Sequence, residues 1–212
     1  MVVNGSEFEK QRPQRVLEKL TRILRDGLGD EAKIDHGNMA VTLEYPDAMT
    51  IQLLPAIQTD QGLRIPASGK AGWAEIDPDT FRHALIRRNS DCGGKLVPTI
   101  KLAKAVISNL PEKYQLSGYH VESLAVRAFK DYKGEKTTTA MLPYFFEQAK
   151  DLVLHPIRDR SGQSRHVDEY LGADDSSVRQ EISHLFSGIT KRMRTASAAQ
   201  SQAQWNELFY TE

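Results

Sequence analysis

Apolar residues recur at helical spacing over residues 12–28. Val16, Leu17, Leu20, Ile23, Leu24 and Leu28 share one face, while Arg15, Lys19, Arg22 and Arg25 point away. The pattern predicts an amphipathic helix stopped by Gly27 and Gly29. The period then drops to two. Residues 33–36 read as a weak strand, and residues 39–45 as a well-alternating one that ends at a Pro46-Asp47 turn. Residues 49–57 read as the strongest strand, ending at Pro55, with Met49, Ile51 and Leu53 on one face and Thr50, Gln52 and Leu54 on the other. Loop signals fill residues 58–79, with short β pieces at 63–65 and 73–76. Asp77-Pro78 then opens a helix over about residues 79–89.

Gly93-Gly94 breaks the chain, and the pattern beyond it is helical throughout. Residues 95–109 carry Leu96, Ile100, Ala103, Val106 and Ile107 inward; residues 117–131 do the same with Val121, Leu124, Ala125 and Phe129. A third helix over 139–153 buries Leu142, Phe145, Phe146, Ala149 and Leu152. A last one over 175–203 has Val178, Ile182, Leu185, Ile189 and Met193 at helical spacing, followed by an apolar cluster from Trp205 to Phe209 that packs back on the helices. The expected fold is α+β, a small β-rich part (residues 1–90) followed by an α-helical lobe (residues 91–212).

The chain has 212 residues, with 28 basic and 28 acidic side chains. That balance argues against bulk binding of nucleic acid. No apolar run approaches the roughly 20 residues of a membrane span. A single cysteine, Cys92, rules out an internal disulfide and a zinc site built on cysteines. With no secretion signal, a cytoplasmic location is expected.

No familiar catalytic motif is complete, and the six histidines show no metal-ligand spacing. Two other features carry possible chemistry. Lys101 and Lys104 neighbour each other on a predicted helix, where they can hold a triphosphate or simply form a solvated face. Ser117-Gly118-Tyr119-His120 opens the next helix. Its serine hydroxyl and free N–H groups suit an anion, and the tyrosine suits stacking on a base. The plainer reading is an N-cap serine with the tyrosine in a crevice; Ser-x-x-His lacks the acidic residue of a capping box.

Taken in order, these segments resemble the CD-NTase family, the bacterial relatives of cyclic GMP-AMP synthase and oligoadenylate synthase that act in anti-phage signalling. The matching pieces are residues 51–57, Ile65-Pro66, residues 72–78, residues 92–98, residues 100–104 and residues 117–122. The turn from Pro156 to Asp159 and on to Gly162-Gln163-Ser164, and the closing Trp205 to Phe209, also fit, so the resemblance covers about residues 12–210.

The resemblance implies a polymerase-β-like nucleotidyltransferase core joined to a helical lobe, acting on ATP or GTP with Mg²⁺ to make cyclic or linear oligonucleotide messengers. It implies that Lys104 contacts the triphosphate, that Ser117 and Gly118 form the serine loop, and that Tyr119 stacks on the base. Gly118 departs from relatives with a second serine there.

Two further departures bear on catalysis. The family's Asp-x-Asp pair is absent; it is expected at or just before residue 1, with Met1-Val2-Val3 as the tail of that strand. Gly5-Ser6 is not the family's nucleotide loop, because no such pair follows it. The position of the third carboxylate is Gln52, a poor magnesium ligand and no base, with Glu44 on the neighbouring strand as a possible substitute. The expectation is therefore the C-terminal part of such an enzyme, inactive as it stands, with nucleotides as partners and homodimerisation through an exposed sheet edge. The alternative is a non-catalytic remnant that binds nucleotides or a protein.

Overall fold

Pro55 divides what alternation reads as one strand. It has no N–H for a sheet ladder, and the pairing breaks at Leu54-Pro55 in the computed structural model, which describes residues 2–3, 8, 11–60, 62–67 and 72–209. The segment before the break is β4 (Thr50–Leu53) and the segment after it is β5 (Ala56–Thr59), and the two belong to different sheets.

The folded chain forms two compact units. One comprises Met1–Asp79 with Arg160–Ser164, and the other Thr80–Asp159 with Arg165–Glu212. This division falls before the Gly93-Gly94 break. The helix between them, α2 (Pro78–Asp91), buries Phe81 and Ala84 against Val126 and so packs with the helical unit.

In the first unit, β1 (Val2–Val3) runs parallel to β5, with Val2 opposite Ala56. β5 is followed by antiparallel β6 (Gly62–Pro66) and β7 (Trp73–Ile76). The returning segment is tied in by the Asp77 N–H, which donates to Ser161 O at 2.7 Å. The other sheet is antiparallel, in the order β2 (Lys33–His36), β3 (Val41–Glu44), β4. Helix α1 (Pro13–Leu28) covers it, packing Leu17 and Leu20 on Ile34, Val41 and Leu43.

The helix packs chiefly on β2 and β3, and of the edge strand β4 only Leu53 is partly buried against the same core. On the face that Met49, Ile51 and Leu53 share, Ile51 is 37% exposed and Met49 48% exposed. Ile23 is likewise exposed. The buried arc of α1 centres on Leu17, Leu20 and Leu24, with Ile23 just beyond its edge. Thr21 takes the opposite edge, buried, with its hydroxyl donating to Leu17 O at 2.8 Å.

The second unit is helical: α3 (Leu96–Ser108), α4 (Gly118–Ala128), α5 (Thr138–Leu152), α6 (Ser177–Ala198) and α7 (Gln202–Phe209) follow α2. The residues expected to face inward on α3, α4 and α5 do so, with Leu152 partly buried. The single last helix of the sequence reading is in fact two. Gln200 adopts φ 50°, and the chain turns through paired bonds from Gln200 N to Ser197 O and from Ser201 N to Ala196 O. That is the helix-ending motif normally built on glycine. It folds α7 back so that Leu208 joins the core. Val178 is 36% exposed rather than buried, while Phe186 is fully buried.

Candidate nucleotide-binding site

Four of the residues singled out in the sequence meet at the start of α4. Ser117 is the N-cap: its Oγ accepts the His120 N–H at 3.2 Å, satisfying one of the donors a helix leaves free at its first turn. Lys104 reaches the same place from α3. Its Nζ lies 3.2 Å from where a Cβ on Gly118 would stand. A Cβ at 118 would crowd the ammonium by a few tenths of an ångström, so the bare glycine gives this cation room close to the helix terminus. A positive charge and free helical N–H groups together favour an anion.

Lys104 is already partnered. Its Nζ donates to Glu122 Oε1 at 2.6 Å, one turn into α4. Sequence reasoning missed Glu122, although it sits at the end of the quoted 117–122 motif. An incoming phosphate has to compete with this carboxylate. Lys101 is exposed and has no ion-pair partner among the described residues.

Tyr119 is half-buried and held at both ends. Its ring meets Phe81 edge-on, with centroids 4.7 Å apart, and its hydroxyl donates to Asp159 Oδ1 at 2.8 Å. Asp159 ends the Pro156-to-Asp159 turn quoted for the resemblance, and it is only 6% exposed. That turn fixes the orientation of the tyrosine.

Behind the cap, the half-exposed Tyr170 leads to a buried group of His120, Asp168 and Arg179. Tyr170 Oη accepts the Ser117 N–H at 3.0 Å and sits 2.9 Å from His120 Nδ1. In a capping box the residue at the third helical position reaches back to the N-cap N–H directly; here His120 does so through the tyrosine hydroxyl. His120 is fully buried, and its Nε2 has no hydrogen-bond partner among the described residues, 3.7 Å from Asp168 Oδ2. Asp168 in turn binds Arg179 at 2.7 Å, with both side chains at 0% exposure.

Burial holds the His120 imidazole well below its ordinary 6.5, at about 4; Asp168 opposes that shift and Arg179 adds to it. The unfolded chain therefore takes up this proton below about 6.5, and the folded chain only below about 4. Between those values the unfolded state holds more protons, so stability rises with pH there. About 3 kcal/mol is expected to be present above pH 6.5 and to be lost as the pH falls to 4. Urea unfolding of His120→Gln should show a flatter acid dependence across that window; an unchanged slope would place the acid sensitivity elsewhere.

The positions tied to catalysis lie in the other unit. Gln52 is exposed on β4, opposite Thr42. Glu44 shares that sheet face by alternation and register, and its carboxylate binds Lys33 at 3.1 Å. Among the described residues no group of three or more His, Cys, Asp or Glu side chains is placed to hold a metal ion. Gln52 and its neighbours thus do not fit a magnesium site. Gly5 and Ser6 lie outside the described residues.

No family model matches the sequence, and no curated protein matches it. Solved structures do match. Escherichia coli DncV in its 3′-deoxy GTP bound form is 12% identical, with a TM-score of 0.68 over 92% of this chain and 54% of that one. E. coli MS115-1 CdnC with ATP is 12% identical, with a TM-score of 0.72 over 99% of this chain and 76% of that one. Vibrio cholerae DncV, a cyclic AMP-GMP synthase and prokaryotic cGAS homolog, is 9% identical, with a TM-score of 0.69 over 92% of this chain and 56% of that one. The chain thus spans a little over half the length of the two DncV chains. At these identities the likeness is one of architecture: the chain has the nucleotidyltransferase fold of the CD-NTases DncV and CdnC.

Proposed function

We propose that this chain is the nucleotide-binding part of a CD-NTase-like nucleotidyltransferase, whose complete form joins ATP or GTP into a cyclic or linear oligonucleotide signal in anti-phage defence. The observation that carries the reading is the convergence at one helix start of Lys104, the Ser117 cap, the bare Gly118 and the anchored Tyr119. The similar structures of DncV and CdnC hold 3′-deoxy GTP and ATP, respectively. In the reading, Lys104 exchanges Glu122 for a phosphate, the α4 N-terminus takes part of the remaining charge, and Tyr119 offers a ring to the base. In the intact family enzyme Mg²⁺ would activate the attacking hydroxyl and steady the leaving pyrophosphate.

The chain by itself is proposed to be inactive, because a neutral amide stands at the third-carboxylate position. Gln52 also favours a second reading, a non-catalytic member of the family that binds nucleotides.

Nucleotide binding tests both readings. ATP at a hundred times its Kd should stabilise the chain by about 2.7 kcal/mol, a rise in Tm of about 5–10 °C. Lys104→Ala combined with Tyr119→Ala should abolish that rise, each protein being compared with its own nucleotide-free Tm. An unchanged shift in the double variant would remove the proposed cleft.

A further inference from the structure

The opposite end of α4 borders a second pocket. The helix has 11 residues, so its two ends lie about 16 Å apart. The pocket has a volume of about 660 Å³, within the range of small-molecule sites, about 300–1,000 Å³. Its walls come from the last turn of α2 and from the segment that joins α4 to α5.

Four cationic side chains line it, Arg88, Lys130, Lys133 and Lys136, against two carboxylates, Asp91 and Asp131. The sum is a local charge of +2 in a chain whose formal net charge is zero. Asp91 is already bound by Arg88 Nη1 at 3.0 Å. The three lysines are exposed and have no ion-pair partner among the described residues. Two details mark more than a solvated loop. The guanidinium of Arg88 is held in the wall by Asp91 and the Lys130 carbonyl, so one cation is fixed in place. The stem of Lys136 passes close to Gly93, whose φ is +62°, so the loop brings this cation to the pocket wall.

The same arginine answers the objection that helix C-termini repel anions. Its Nη1 donates to Lys130 O at 2.7 Å, so a carbonyl just past the end of α4 is already satisfied.

We propose that this pocket binds a small, multiply charged phosphorylated anion, of the oligophosphate class. Lysine ammoniums bind phosphate as compact point charges and tolerate varied geometry around the chain of phosphates. The concave shape and the small number of cations fit a compact ligand better than a nucleic-acid backbone, which needs an extended basic track. The site stands independently of the nucleotide site at the other end of α4.

Tripolyphosphate is the probe, titrated calorimetrically into the full chain carrying Lys104→Ala, so that the first site does not contribute. Binding is expected, weakening as salt is raised. Lys130→Gln, Lys133→Gln and Lys136→Gln together should reduce affinity at least tenfold. These side chains are exposed, so the triple variant should keep the parent's Tm. No binding, or equal binding by the triple variant, overturns the proposal. Orthophosphate binding as tightly as tripolyphosphate overturns the multiply charged class. A single-stranded oligonucleotide that binds more tightly through the same lysines replaces the small ligand with nucleic acid and also overturns it.

Discussion

Replacing Arg179 with methionine is expected to destabilise the helical unit by about 3–5 kcal/mol, the usual cost of breaking a buried ion pair from one side. Every N–H of this guanidinium is used. Nε donates to Ala173 O at 3.0 Å, and Nη1 to Val153 O at 2.9 Å and Asp168 Oδ2 at 2.7 Å. Nη2 donates to Asp168 O at 3.1 Å and Gly172 O at 3.2 Å. The methionine variant leaves a carboxylate and four carbonyls without this partner in a place closed to water. Lysine should not rescue it, since one ammonium cannot reproduce a planar five-donor fork. Adding Asp168→Asn to Arg179→Met should recover part of the loss, because the stranded charge is the largest single cost. The amide still accepts the Ile157 N–H that Asp168 Oδ1 now takes at 3.0 Å. Urea unfolding followed by far-ultraviolet circular dichroism measures all three. A loss under about 1 kcal/mol for Arg179→Met would mean that water reaches the cluster.

Phe146→Ala should cost a similar amount, about 3–5 kcal/mol. The ring is completely buried on α5 and makes edge-to-face contacts with Phe145 and Phe186, each at 5.2 Å between centroids. Truncation loses the transfer energy of the ring, opens a cavity between α5 and α6, and removes two aromatic contacts. Ile23→Ala serves as the contrast. Both residues sit on apolar stripes in the sequence, but Ile23 is 56% exposed, so its truncation should change stability by less than about 0.5 kcal/mol. Comparable losses at the two positions would contradict the assignment of the core.

That contrast shows what the sequence makes legible. Spacing alone identifies α3, α4 and α5 together with their buried faces, because each packs a wide apolar stripe into one core. It leaves the covering of β4 open, since alternation in Met49, Ile51 and Leu53 says that a face is apolar, not that another element covers it. It marks Pro55 as an end but not as a change of sheet, because the alternation continues in phase on the far side. It misses the turn at Gln200, where the left-handed residue is not glycine. The candidate site was half legible. Lys104, Ser117, Gly118 and Tyr119 follow from motif and resemblance. Their partners Glu122, Asp159 and Tyr170 are supplied by packing, and the last two come from parts of the chain far from the motif. Asp168 and Arg179 left no pattern to find, being 11 residues apart on different local structures.

The return of residues 160–164 to the first unit bears on how this protein can be made and divided. A ribosome that has released the segment through β7 has not yet released Ser161, whose carbonyl receives the Asp77 N–H, nor Gly162, which lies under the Glu75 carbonyl. The β-rich unit therefore completes its bonding only after most of the helical unit has emerged. The N-terminal half cannot finish folding first in the way that beads on a string do. The same threading means that a piece ending after Asp79 lacks the Ser161 carbonyl to which the Asp77 N–H donates. A separable first unit would have to carry the 160–164 segment grafted on through a new linker.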